Sequence, residues 1–293
     1  MHHPTSAATH VEAHCCTGTS PGIAGQVPVR LELERGGSVE GRVGYEVHGP
    51  AYGPAVVVLG GISASRHLAA TAGDPSPGWW PEVIGPGKAL DPTRHRLIGV
   101  DYLGGPRSPV AQAQITTNDQ ARALLKVIRA LGLPSVSIVG ASYGGMVGLA
   151  AAVSAPRAVK SLVLFCAAHR PHPLGTAWRS IQRDVTRFGA KAGDPARGLA
   201  LGRALAMTTY RSDVEFDSRF DHRVGADQKR AAFPVESYLG ARGDDFARRF
   251  DADAFLRLSE SIDLHDVDPS RVDCPHDLGV VRHGPAGAPL ACG

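Results

Sequence analysis

The sequence predicts an α/β protein: a doubly wound, mostly parallel sheet carrying a long helical insertion. Three observations carry that expectation. Short apolar runs alternate with helix-length segments through the first half of the chain. Gly140-Ala-Ser142-Tyr-Gly144 sits between a strand-like run, Val136 to Val139, and a helix-like run, Met146 to Val153. From about His169 to Asp266 the pattern becomes wholly helical, with no apolar strand inside it.

Composition narrows the class. The chain has 293 residues, 43% hydrophobic and 20% charged, as in an ordinary soluble globular protein. A net charge of +3 with scattered arginines forms no basic stripe, so nucleic acid is not an expected partner. No apolar run reaches the ~18 residues a membrane span needs, so no membrane partner is expected either. Five cysteines without a repeating spacing argue against a disulfide framework and for a reducing compartment, the cytoplasm. Residues 1–26 are polar and Gly-rich, and read as a disordered tail. They hold histidines and a Cys15-Cys16 pair, but nothing that would fix a metal geometry, and no metal is expected.

The elements follow in order. Val29 to Glu34 and Val39 to Val47 alternate apolar and polar residues around Gly36-Gly37, which reads as an antiparallel hairpin at a sheet edge. Ala55 to Leu59 is continuously apolar, hence a central strand covered on both faces. Leu97 to Asp101 is another buried strand. Thr117-Asn-Asp-Gln120 reads as a capping box opening a helix whose face is Ala121, Leu124, Leu125, Ile128 and Leu131. Gly132 ends that helix, and Val159 to Cys166 forms the strand after the next one. Ala177 to Phe188, Gly198 to Tyr210, Val235 to Arg249 and Ala252 to Asp263 are four helices of a lid. The expected domains are a core over 27–168, a lid over 169–266 and an incomplete return to the core over 267–293.

A Gly-x-Ser-x-Gly pentapeptide between a buried strand and a helix is the nucleophile elbow of the α/β-hydrolase fold. The tight turn exposes the hydroxyl of Ser142, the candidate nucleophile. The helix N-terminus behind it favours a developing oxyanion. The Tyr143 amide is one expected oxyanion donor. The second is expected from Gly60-Gly61-Ile62, just past the central strand, through the amide of Gly61 or Ile62.

Several stretches resemble the homoserine O-acyltransferases, especially the shorter bacterial members described as succinyltransferases. Gly60-Gly-Ile-Ser-Ala-Ser-Arg-His67 is similar to their oxyanion loop, and Gly78-Trp-Trp80 with Gly85-Pro-Gly-Lys-Ala-Leu-Asp91 follows suit. So do the lid segments Trp178 to Arg183, Thr209-Tyr-Arg-Ser212, Val235 to Leu239, and Phe250 through Asp263. The resemblance covers about residues 27 to 275. It implies a ping-pong reaction: Ser142 takes an acyl group from succinyl-CoA or acetyl-CoA and passes it to L-homoserine, for methionine synthesis. Succinyl is favoured over acetyl, and no cofactor is implied beyond acyl-CoA as co-substrate. Arg211 occupies the position that binds the amino acid in this family, and a guanidinium fork suits its carboxylate. Arg179, Arg183 or Arg211 is expected to meet a succinyl carboxylate. A homodimer through the lid helices is also implied.

The pattern breaks after Pro275. The family's triad acid follows a strand after the lid, and its histidine lies in a later Gly-His-Asp-like motif, and neither is found here. Asp277 and His283 stand in the right order, but the 18 residues after Pro275 are too few for two strands and a helix. His265 and His67 are not the family's base. With suitable codons, a one-base shift near codon 276 restores an apolar strand followed by an acidic loop. A truncated or frameshifted C-terminus, missing final strands and impaired turnover are therefore expected. Two other readings stay open: a general α/β-hydrolase esterase, and a catalytically dead scaffold paired with an intact paralogue.

Overall fold

The structure, a computed structural model, describes residues 22–110, 113–220 and 233–279, and only the backbone of 276–279. Among the described residues, seven strands form one sheet whose order, edge to edge, is Ile23–Glu32, Ser38–His48, Arg96–Val100, Ala55–Leu59, Val136–Ala141, Val159–Phe165 and His276–Gly279. Strands β1 (Ile23–Glu32) and β2 (Ser38–His48) make the expected edge hairpin, with Val29 opposite Gly41 and Leu31 opposite Val39. Strand β1 begins at Ile23, so the first core strand reaches into the segment expected to be tail. Residues 1–21 lie outside the described residues.

The centre of the sheet is β3 (Ala55–Leu59), flanked in parallel by β4 (Arg96–Val100) and β5 (Val136–Ala141). Alternate side chains of a strand face opposite sides, and here the two sides are covered differently. Val57 and Leu59 join the core beneath helices α1 (Thr117–Ala130) and α2 (Tyr143–Ser154). Val56 and Val58 pack instead with Leu68, Ile84 and Leu90, against which Trp79 and Trp80 also lie. The irregular segment 60–95 thus covers the second face of the sheet without a helix of its own.

Helix α1 starts one residue before the expected box. Thr116 is the N-cap, its hydroxyl accepts from the Asp119 amide, and Asp119 accepts in return from the Thr116 amide. Asp119 can close the box in place of the usual Glu because Thr116, not Thr117, lies three residues before it. Thr117 points into the protein, where its Oγ1 lies 2.6 Å from His265 Nδ1.

After β6 (Val159–Phe165) come, among the described residues, five lid helices rather than four. They are α3 (Pro173–Lys191), α4 (Pro195–Met207), α5 (Asp213–Arg219), α6 (Pro234–Arg249) and α7 (Ala252–Asp263). The additional helix α5 is capped by Ser212, whose hydroxyl accepts from the Glu215 amide. It buries none of its residues, so apolar periodicity could not reveal it. The sheet does not stop at β6. Strand β7 (His276–Gly279) lies parallel to it, with Asp277 opposite Val163, so one strand forms where the final strands were expected to be missing. Strand pairing needs only backbone groups, which His276 to Gly279 supply whatever their side chains.

Candidate active site

Ser142 joins β5 to α2 with φ 54° and ψ −122°, a conformation that costs a non-glycine residue about 1–3 kcal/mol. Its surroundings hold it there. The Ser142 amide donates to the Phe165 carbonyl of β6 at 2.9 Å, and the Ser142 carbonyl accepts from the Gly145 amide at 3.0 Å. Gly144 permits the corner: a Cβ on it would lie 2.4 Å from the Leu59 backbone, closer than real contacts allow.

The turn is also tied to the end of β3. The Gly60 carbonyl accepts from the Gly144 amide at 2.8 Å and from the buried Tyr102 hydroxyl at 2.6 Å. Tyr102 meets Tyr143 edge-on, with ring centroids 4.9 Å apart. The Tyr143 hydroxyl in turn shares a 2.7 Å hydrogen bond with Ser261 of α7, which joins the elbow to the lid. Burial raises the pKa of both phenols, so both stay neutral. None of these tyrosine links was legible in the sequence. Tyr143 occupies a variable position of the pentapeptide, and Tyr102 follows an ordinary apolar strand.

Among the described residues, neither the Tyr143 amide nor the Ile62 amide donates to a protein acceptor. Gly61 closes a turn by accepting from the Ala64 amide at 2.9 Å. Ile62 packs against the lid cluster of Leu199, Phe246 and Phe255, together with Phe250. Among the described residues, no histidine or carboxylate hydrogen-bonds the Ser142 hydroxyl. Asp277 contributes backbone to β7, and His283 lies outside the described residues. His265 is fully buried beside Thr117, and burial pushes its pKa down to about 4.

The lid arginines divide. Arg179 Nε donates to Asp263 Oδ1 at 2.8 Å, and Arg183 Nη1 donates to Asp263 Oδ2 at 2.7 Å and to the Ser259 hydroxyl at 3.1 Å. Both are structural ion pairs, which corrects the expectation that either stands ready for an acyl carboxylate. Arg211 Nε donates to the Tyr238 hydroxyl at 2.9 Å, and its Nη1 pairs with Glu215. The Tyr238 hydrogen bond and the Glu215 charge both favour its cationic form.

A seven-stranded α/β sheet among the described residues, a serine at a left-handed strand-to-helix corner and a helical lid joined to that corner through Tyr143 and Ser261 define an α/β-hydrolase-fold protein, and residues 54–253 match the alpha/beta hydrolase fold family. More narrowly, the chain is 40% identical over 288 residues to a homoserine O-succinyltransferase of Xanthomonas campestris pv. campestris, covering 98% of this chain and 77% of that one. It is 35% identical over 277 residues to an L-serine/homoserine O-acetyltransferase of Streptomyces lavendulae, covering 83% and 74%. The crystal structure of esterase E22 superposes with a TM-score of 0.75 at 19% identity, covering 88% and 84%, which shows the shared fold. The chain belongs to the homoserine O-acyltransferase family, a family of acyltransferases.

Proposed function

We propose that the protein transfers an acyl group from an acyl-CoA thioester to the hydroxyl of L-homoserine through an acyl-enzyme on Ser142. The observation that carries this reading is the Ser142 corner itself, with the unpartnered Tyr143 amide at the head of α2 and the unpartnered Ile62 amide beyond β3. Two amides without protein acceptors suit an oxygen that becomes negative only in the transition state. The lid covers the Ile62 loop with an apolar cluster, which favours an amino-acid alcohol over water as acceptor.

Arg211 is the residue for the acceptor carboxylate, oriented by Tyr238. With Arg179 and Arg183 committed to Asp263, Arg211 is the one of the three candidates held instead by Tyr238 of α6 and Glu215 of α5. Succinyl remains the favoured donor, in keeping with the relative of highest identity above, and L-serine is the alternative acceptor. The O-acyl ester would feed methionine synthesis, in the cytoplasm, and no helix of the described residues is long and apolar enough to cross a membrane.

A homodimer through the lid is part of the same proposal. Leu174, Trp178, Ile181 and Phe188 recur along one face of α3, and Phe188 is 76% exposed. Ile181 and Phe188, with Leu201 of α4, border an apolar groove of about 510 Å³. A patch of this kind on two copies can close on itself about a two-fold axis.

The test is intact-mass analysis after incubation with succinyl-CoA or acetyl-CoA, with and without L-homoserine. A Ser142-dependent mass gain that homoserine discharges as an O-acyl ester is expected. Ester hydrolysis that ignores homoserine would favour the esterase reading. Loss of a triad base costs on the order of 10⁶ in turnover, so the rate shows whether a base reaches Ser142.

A further inference from the structure

Ile62 hangs between two anchors. Upstream, Gly60 is fixed by the Gly144 amide and the Tyr102 hydroxyl. Downstream, residues 65–67 cross over the sheet, where the Arg66 carbonyl passes so close to Gly99 that a Cβ there would lie 1.9 Å away. The crossing is clipped twice. Arg66 Nη1 donates to Asp101 Oδ2 at 2.7 Å, and the Arg66 amide donates to Asp101 Oδ1 at 3.0 Å. The next residue, His67, reaches Glu46 of β2, with Nδ1 3.2 Å from both carboxylate oxygens.

The other ring nitrogen settles the state of His67. Nε2 lies 2.9 Å from the Ser76 carbonyl, which can only accept. Both nitrogens therefore face acceptors, and an imidazole satisfies two acceptors only when both nitrogens carry protons. The Glu46 side chain is 9% exposed and that of His67 14%, so the pair is poorly screened.

We propose that His67 is a positioning residue for the oxyanion loop, acting as a protonated double donor that clips the loop to β2 through Glu46 and releases it as pH rises. The inference rests on the reading of Ile62 as an oxyanion donor. The charged groups around His67 are Glu46, Asp74 with Oδ2 3.8 Å from Nδ1, and the Arg66–Asp101 pair next along the chain, with Arg107 acting on Asp74. His48, also on β2, lies 3.2 Å from Glu46, but burial and the charge of His67 hold its pKa near 4, so it stays neutral. Burial of His67 opposes its charge, but the Ser76 carbonyl, Glu46 and Asp74 together raise its pKa above the ordinary 6.5. A histidine whose folded pKa is raised stabilises fully below its unfolded value and loses that contribution as pH climbs through the folded one. The clip therefore holds in mild acid and loosens at higher pH.

The experiment is a ¹H–¹⁵N titration of the histidine rings in the full chain, with His67 assigned by its loss in His67→Gln. At pH 6.5 more than half of His67 should carry protons on both nitrogens, and Glu46→Gln should move its midpoint downward. Amide exchange reads the loop. The Ala64 amide, bonded to Gly61, and the Thr71 amide, bonded to Asp74, should lose about tenfold in protection as pH passes that midpoint, as for one hydrogen bond to a charged group. The β3–β5 ladder should not change, and His67→Arg, a permanent donor, should remove the transition. A single neutral tautomer at pH 6.5, or a midpoint indifferent to Glu46→Gln, overturns the proposal. If His67→Gln does not fold, the Glu46→Gln shift and the wild-type exchange profile still decide. A working clip with a Ser142 acylation rate unchanged in Ile62→Pro, which lacks the amide hydrogen, would leave the clip standing and remove the oxyanion reading.

Discussion

Arg183 Nη1 lies 2.7 Å from Asp263 Oδ2, and both side chains are only 10% exposed. Asp263 also accepts from Arg179 Nε and from the Thr176 hydroxyl, both at 2.8 Å. One carboxylate at the end of α7 thus gathers three side chains of α3. Truncating one partner of a buried ion pair leaves an uncompensated charge and costs about 3–5 kcal/mol. Asp263→Ala should lower the urea midpoint accordingly, and calorimetry should show the lid melting before the sheet.

Gly144→Ala should damage the elbow directly, since its Cβ would meet the Leu59 backbone at 2.4 Å. Overpacking of this kind typically costs about 1–3 kcal/mol, and the added methyl must shift either α2 or β3. The expected outcome is a folded but destabilised protein that forms no acyl-enzyme, read by denaturation and intact mass together.

Arg211→Lys keeps the charge but loses the guanidinium fork and the Nε bond to Tyr238. If Arg211 holds the acceptor carboxylate, the affinity for L-homoserine should fall about tenfold or more, while Ser142 acylation by the thioester is unchanged. Titration calorimetry with homoserine, beside acyl-enzyme mass analysis, separates the two steps.

His265 gives a pH dependence of the opposite sense to that of His67. Its folded pKa is near 4, against an ordinary 6.5. Between those values the unfolded chain binds more protons, so stability falls as pH drops from 6.5 toward 4. The contribution is on the order of 3 kcal/mol. Denaturation at pH 7 and pH 4.5 should show a smaller acid loss for His265→Gln than for the unaltered chain.

Phe188→Asp should disperse a lid-mediated dimer without unfolding the protomer, because Phe188 is 76% exposed and adds little to the protomer's own core. Sedimentation velocity should show a dimer for the unaltered chain and a monomer for the variant. A monomer in both would remove the dimer from the proposal.

What could be read ahead of the structure depended on how local the physics is. The elbow was legible because a left-handed corner beside a close-packed helix demands Gly144 within two residues of Ser142. The hairpin, β3 and the face of α1 were legible because burial repeats with the period of the backbone. The cap of α1 was misplaced by one residue, since Thr116 and Thr117 are chemically alike and only the backbone angle at Thr116 distinguishes them. Strand β7 was missed because its pairing depends on the exposed edge of β6 and not on any apolar run of its own.

By itself the sequence determined the parallel sheet, the serine at its corner, the helical lid and the family, since each is written in short-range spacing or in stretches of contiguous residues. Tertiary structure alone decided which charges pair. Arg179 and Arg183 stand about 80 residues from Asp263, and His67 stands 21 from Glu46, so nothing in the order of the chain announces either pairing. An ion pair is set by distance and desolvation in space, and those quantities exist only once the sheet and lid have packed.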